Sequence, residues 1–387
     1  MKLITDTKSL VESITWATKT MDQNTQVVLD VNEDGEAFLT YSAPQSYMRA
    51  PLSVSEAKDV DEDVRAPLDG SLLRQLIPAF NQVSGDVELS FTGEGTSKVL
   101  KVKSLSFAST HFSVAMYSSR VPAAPSVVKI GETSDAEYFD YIARLANFCD
   151  PSNEAAYPAV GSVDISFNRD DNKLTMMATN RWSLAEIALD FDADEDADDE
   201  LFGRHFLIPA GSASMVSPTK GSLDNVELIY DETNQKYGYR FADGRIALFG
   251  LTDARPTPYA RTKENASQNV DLEATVDLQS LDNTIKTLSG LPWAEGSIFW
   301  TVTDSKFEIH DKSRDNVMEI DASTNLEEGA SAELAFISYV VRTAFKAART
   351  KRVKLKWGEE FSHVVIVPVL DDGTEAPDVF AFAGGTS

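Results

Sequence analysis

Two patterns of apolar positions recur along the chain, and each occurs three times. The first is period-two alternation, broken by turn residues and then resumed: Val28 to Val31, turn residues Asn32 to Gly35, then Ala37 to Thr40. It returns as Val163 to Phe167, Asn168 to Lys173 and Leu174 to Met176, and again as Ile298 to Val302, Asp304 to Lys306 and Phe307 to Ile309. Alternation flanking a turn predicts a β-hairpin, with Val31, Phe167 and Val302 as equivalent positions. The second pattern is Val-charged-Leu-any-aromatic: Val87 to Phe91, Val226 to Tyr230 and Val353 to Trp357. One apolar face at period two predicts strands of half-buried antiparallel sheets.

Helical spacing precedes both patterns. Leu10, Val11, Ile14 and Ala17, then Phe139, Ile142, Leu145 and Ala146, then Leu278, Leu281, Ile285 and Leu288 predict one amphipathic helix ahead of each hairpin. A second helix is predicted before the Val-charged-Leu strand, from Leu72, Leu73, Leu76 and Phe80 in the first copy and Val340, Val341, Ala344, Phe345 and Ala348 in the third. Asp69 or Ser71, and Ser338, are the candidate N-caps. The second copy offers only Ser212 to Ser217, a short helix. A period of about 130 residues is too long for a solenoid repeat, so each copy is expected to be a domain with its own core. Turn-rich stretches at Pro122 to Pro125 and Lys263 to Asn269 divide the chain into 1–122, 123–263 and 264–387. The expected fold class is α+β, three tandem copies of two helices packed on antiparallel sheets.

Composition narrows the possibilities. At 387 residues, 42% apolar and 25% charged, the chain suits several folded domains rather than disorder. No apolar run approaches the roughly 20 residues of a membrane span. Met1 to Ser9 lacks the basic and apolar regions of a signal peptide, so the protein is expected to stay in the cytoplasm, with no membrane partner. The single cysteine, Cys149, leaves no intramolecular disulfide or cysteine-based zinc site and reads as a buried thiol. The four histidines are scattered, Gly93 to Lys98 lacks Walker spacing and reads as a hairpin turn, and 61 carboxylates supply chance acidic pairs freely. Neither catalytic residues nor a metal or cofactor is therefore expected.

The formal charge of −26 argues against a nucleic-acid partner, because nonspecific DNA binding rests on Lys and Arg neutralising phosphates. The distribution reverses that argument locally. Between Tyr339 and Trp357 stand Arg342, Lys346, Arg349, Lys351, Arg352, Lys354 and Lys356, with no acidic residue among them. Arg342, Lys346 and Arg349 at i, i+4 and i+7 would share one helix face opposite Val341, Ala344, Phe345 and Ala348.

Four motifs in order resemble one known family. Met177 to Ala185 is similar to the Ala-Thr-Asp-Gly-His-Arg-Leu-Ala stretch of the β subunit of bacterial DNA polymerase III, the bacterial sliding clamp. Phe206 to Pro209 resembles its Val-Ile-Val-Pro, Asp253 to Arg261 its Gly-Arg-Phe-Pro-Asp-Tyr-Arg-Arg, and Ala335 to Val341 its Gly-Phe-Asn-Val-Ser-Tyr-Leu. The resemblance covers essentially the whole chain. It implies clamp domains whose helices line a ring and whose sheets form its outside, closed head to tail as a homodimer. It further implies sequence-independent contact with double-stranded DNA and, as partners, a DNA polymerase and a clamp loader that dock a short apolar peptide.

On that resemblance the DNA-facing candidates are Arg342, Lys346, Arg349, Lys351 and Arg352, with Lys8, Lys19 and Arg74 in the first copy, Arg144 and loop residue Tyr157 in the second, and Lys286 in the third. Taken singly, Lys8, Lys19 and Lys286 read first as solvated helix surface, and Tyr157 reads at least equally as a packed loop residue. The peptide groove carries over to Thr179, Leu184, Pro258, Arg261, Val379, Phe380 and Phe382, with Trp182 as groove wall or core filler. Two departures reshape it: Arg181-Trp182-Ser183 stands where the family has Gly-His-Arg, and Phe382 to Ser387 replaces its Met-Pro-Met-Arg ending. The run Asp192 to Glu200 reads as a solvated acidic loop. The rival readings are a β-rich viral assembly protein, which would not need the basic cluster, and a carboxylate-based hydrolase, against which three equivalent copies argue.

Overall fold

The computed structural model describes residues 1–387 except 23–24, 61, 93–97, 107–109, 118–120, 135–136, 151, 153–155, 216–225, 269, 292–296, 359–362, 377–378 and 385–387, and the side chains of 379 and 384. The turn expected at Gly93 to Lys98 lies almost wholly outside the described residues.

The repeated patterns become a repeated topology. The first copy runs β1 (Lys2–Asp6), α1 (Thr7–Ala17), β2 (Gln26–Val31), β3 (Ala37–Ala43), β4 (Ser46–Leu52), β5 (Val54–Lys58), β6 (Val64–Asp69), α2 (Gly70–Phe80), β7 (Asp86–Thr92), β8 (Val99–Ser104) and β9 (His111–Ala115). The second runs β10 (Val127–Thr133), α3 (Tyr138–Leu145), β11 (Ser162–Asn168), β12 (Lys173–Thr179), β13 (Ser183–Asp190), β14 (Asp192–Ala193), β15 (His205–Pro209), α4 (Ala210–Ala213), β16 (Val226–Asp231), β17 (Lys236–Arg240) and β18 (Ile246–Gly250). A connecting helix, α5 (Ala260–Ser267), leads to β19 (Leu272–Asp277), α6 (Leu278–Ser289), β20 (Ser297–Thr303), β21 (Lys306–His310), β22 (Val317–Thr324), β23 (Ser331–Ile337), α7 (Ser338–Phe345), β24 (Arg352–Trp357), β25 (His363–Val369) and β26 (Val379–Gly384). The three predicted hairpins are β2–β3, β11–β12 and β20–β21. The Val-charged-Leu strands β7, β16 and β24 each pair antiparallel with the strand that opens their copy.

Two compact units result: Met1–Ser134 with Ala193–Ala197 and Pro218–Leu251, and Asp135–Asp192 with Asp198–Ser217 and Thr252–Ser387. Within the first, β4 pairs with β18, and Trp16 of α1 donates its indole N–H to the Ile246 carbonyl of β18 at 3.2 Å. Within the second, β13 pairs with β26 in a 12-stranded sheet. The strands of the second copy are thus divided between the two units, and sheet pairing crosses from copy to copy.

Aspartates start three of the helices. Asp6, Asp69 and Asp277 each accept a hydrogen bond from a backbone N–H of the first turn, at 2.9, 2.9 and 2.7 Å. Ser338 is not a cap: Ile337 holds that position in extended geometry at the end of β23, and Ser338 is the buried first residue of α7. α4 is a single turn, with part of the expected Ser212 to Ser217 segment outside the described residues. α7 also ends early. Bonds from Lys346, Ala347 and Ala348 N–H to carbonyls three residues back tighten the turn that follows it, and Ala347 and Ala348 are both buried.

Candidate functional site

The basic cluster sits in the second unit, where α6 and α7 pack together. Because α7 stops at Phe345, Arg342, Lys346 and Arg349 do not form the straight row that their spacing predicts. Arg342 lies on the helix, Lys346 caps it, and Arg349 follows the turn. They border a concavity of about 600 Å³ between the start of α6 and the end of α7, with Tyr339 exposed on its rim.

Carboxylates reach three of the guanidiniums. Arg342 donates through Nε and Nη2 to both oxygens of Asp282 on α6, at 2.7 and 3.2 Å, a contact that holds the guanidinium above its usual pKa. Arg349 contacts Glu137 at 2.6 Å and Asp140 at 3.4 Å, and lies over the Tyr141 ring. Arg144 on α3 pairs with the same Asp140 and donates to the Lys346 carbonyl at 3.1 Å. Lys346, Lys351, Arg352 and Lys286 are exposed and form no ion pair among the described residues. Lys354 and Lys356 are drawn to Glu375 and so leave the cluster.

The first-copy candidates belong to the first unit. Lys8 faces Glu12 at 3.8 Å on an exposed helix surface, and Arg74 is exposed. Lys19 lies 5.7 Å from the centre of the Trp16 ring, where partial burial and then the Arg245 charge lower its pKa.

The groove candidates gather around the β13–β26 seam. Its register places Leu184 opposite Phe382, Glu186 opposite Phe380 and Ile187 opposite Val379. Leu184 is buried, and Phe380 and Phe382 are half-buried with rings 6.3 Å apart. Thr179 is buried; its hydroxyl donates to the Ser183 carbonyl at 2.8 Å and accepts from Arg181 N–H at 3.1 Å. Pro258 and Arg261 are exposed, and the α5 side chain that reaches the strands is instead Lys263, paired with Glu186 and 5.4 Å from the centre of the Phe380 ring. Beside it, burial and the Glu186 and Asp164 charges push Tyr259 well above its usual pKa.

The altered motif forms a tight turn between β12 and β13. The Asn180 side-chain oxygen accepts from the Trp182 and Ser183 N–H groups and the Ser183 hydroxyl, at 3.0, 2.7 and 3.0 Å. Arg181 takes φ of +77°, a region L-residues rarely occupy, and its guanidinium lies 4.4 Å over the Tyr157 ring. Trp182 is 55% exposed, which removes the core-filler reading, and Tyr157 is exposed but carries the Arg181 guanidinium over its ring. Cys149, expected to be buried, is half-buried, with its thiol toward the Leu145 carbonyl at 3.8 Å. The acidic run is not simply a solvated loop: Asp194 pairs with Lys129, Asp199 with Arg169, and Asp198 caps a short 3₁₀ turn.

No protein-family model and no curated protein matches the chain. Solved structures do, along its full length. The DNA polymerase III subunit beta from Pseudomonas aeruginosa aligns over 100% of both chains with a TM-score of 0.77 at 13% identity. The chain has the sliding-clamp fold. The Thermotoga maritima β subunit shares that clamp fold over 100% of this chain and 99% of its own, with a TM-score of 0.72 at 16% identity. A Helicobacter pylori β clamp bound to a DNA ligase peptide aligns over 100% of both chains, with a TM-score of 0.75 at 12% identity.

Sequence reasoning found the basic residues of this clamp fold but missed Asp282, Glu137 and Asp140, the acids that hold them. Arg342 and Asp282 stand 60 residues apart, and no local pattern links them. The positive φ of Arg181 was equally hidden, because the departure from the family's glycine removed the usual sign of it.

Proposed function

We propose that this chain is a DNA sliding clamp, a non-enzymatic processivity factor that encircles duplex DNA and tethers a replicative DNA polymerase in the cytoplasm. The observation that carries the reading is the full-length clamp fold together with a cationic surface at α7 in a chain of net charge −26. Lys346, Lys351, Arg352 and Lys286, with the paired Arg342, Arg349 and Arg144, would meet phosphates without reading bases, as sliding requires. Lys8, Lys19, Arg74 and Tyr157 are lesser candidates for the same contact. The three clamp domains would be 1–122, 123–263 and 264–387. Nothing observed favours a viral assembly role.

The repeat itself argues for the ring. In the first copy β4 is covered by β18, and in the second β13 is covered by β26, the last strand of the following copy in each case. The equivalent strand of the third copy is β22. Its Val317 to Asp321 pair on one side with β21, while only Ala322 to Thr324 reach β19. The last strand of the first copy, β9, ends its sheet. Burial follows the same logic: Ala50 and Leu52 of β4, and Ile187 and Leu189 of β13, are buried, whereas Met318 and Ile320 at the same register of β22 are only half-buried. A second copy that sets β9 against β22, head to tail and twice over, would close these edges.

The seam around Leu184, Phe380 and Phe382, with Thr179, Trp182, Val379, Pro258 and Arg261 as the remaining candidates, would take the apolar peptide of a polymerase or clamp loader. Loading the chain onto nicked circular DNA and then linearising it tests the proposal. A clamp stays on the circle and is lost from free ends; equal loss from both would refute topological retention.

A further inference from the structure

Three guanidiniums of the proposed DNA-facing surface already have anionic partners. Asp282 grips Arg342 through two hydrogen bonds, and Glu137 and Asp140, at the start of α3, share Arg349 and Arg144 between them. All these side chains are partly exposed, so solvent and phosphates reach them. Lys346, Lys351 and Arg352 stand beside them with no carboxylate among the described residues. The surface therefore holds two kinds of cation, one free and one committed.

We propose that Asp282, Glu137 and Asp140 restrain this chain's grip on DNA by competing with backbone phosphates for Arg342, Arg349 and Arg144. The inference rests on the sliding-clamp reading. A phosphate approaching a free lysine displaces only water and counterions. A phosphate approaching Arg342 must displace a carboxylate that already satisfies the guanidinium fork, so the exchange gains little. The acids stay in place while DNA passes, and each arginine contact is kept weak and short-lived. A ring that holds DNA by topology gains mobility from such contacts.

Binding of a short labelled duplex to the full-length protein, followed by fluorescence anisotropy over a range of salt concentrations, tests this. Freeing one cation adds one phosphate contact, so Asp282→Asn should tighten binding about eightfold at 0.1 M salt and steepen the log–log salt slope by about 0.9. The double variant Glu137→Gln/Asp140→Asn should act in the same direction, and it provides an independent arm if Asp282→Asn lowers the thermal midpoint. Glu195→Gln, in an exposed turn, changes net charge as much as Asp282→Asn and should leave binding within about twofold.

Lys346→Glu separates the two levels of the argument. Weaker binding in Lys346→Glu, with both acid variants within twofold of the parent protein, overturns the competition and leaves the DNA-facing surface standing. No change in Lys346→Glu or in the acid variants overturns both. An equal gain in Glu195→Gln assigns the effect to net charge and also overturns the competition.

Discussion

Ile320→Lys on β22 should break the ring without breaking the subunit. Ile320 is half-buried, opposite the buried Phe307 of β21, whereas its counterparts by register on β4 and β13, Leu52 and Leu189, are buried. Covering the remaining half of an isoleucine side chain contributes about 1 kcal/mol. Trapping an unpaired ammonium under a partner strand costs about 1–3 kcal/mol. Two seams close the proposed dimer, so each effect counts twice and dimerisation should weaken by roughly 5 kcal/mol, some three to four decades in Kd. Size exclusion with light scattering at micromolar protein provides the readout. The parent chain should run at twice its 42.4 kDa and the variant at 42.4 kDa, with thermal midpoints within a few degrees of each other. A variant that dimerises as tightly as the parent would refute the β9–β22 seam. A parent that is strictly monomeric would refute the ring.

Three further outcomes are expected. Phe382→Ala, which removes a half-buried ring at the β13–β26 seam, should weaken an apolar partner peptide by about 1–3 kcal/mol in a titration with labelled peptide; unchanged affinity would move the groove elsewhere. Asn180→Ala strips three hydrogen bonds from the turn that holds Arg181 at positive φ and should cost about 1–3 kcal/mol in denaturant unfolding, with Asn180→Asp retaining most of the stability. His205 donates to the buried Asp164, and that bond raises the imidazole pKa above its ordinary 6.5. A folded-state pKa raised in this way stabilises fully below pH 6.5 and loses its contribution as pH climbs through the raised value, so His205→Gln should flatten the thermal midpoint over that window.

The parts of the fold legible in the sequence were those encoded by neighbours. Alternation set the hairpins β2–β3, β11–β12 and β20–β21, and helical spacing set α1, α3, α6 and the start of α7, because each pattern is read within a few turns of chain. The end of α7 has no such local sign. Ala348 continues the apolar spacing, yet the N–H groups of Lys346, Ala347 and Ala348 bond three residues back, and the spacing alone does not separate that turn from further helix. The seams β4–β18 and β13–β26 have no local signature, since register between distant strands is set by tertiary pairing. The candidate site divides the same way. Its cations were visible as a run, and its counter-charges were scattered over α3 and α6.

The seam between β4 and β18 also bears on how the chain is made. Arg49 of β4 and its partner Ile246 of β18 are 197 residues apart, so at about 5–20 residues per second a ribosome spends roughly 10–40 s producing the partner of an apolar strand already outside the exit tunnel. An uncovered edge of that kind invites pairing with a neighbouring nascent chain. Arg49 and Pro51 lie within β4, a charge and a residue with no N–H to offer, and both discourage such pairing. The strand that waits longest for its partner thus carries its own guard against the wrong one.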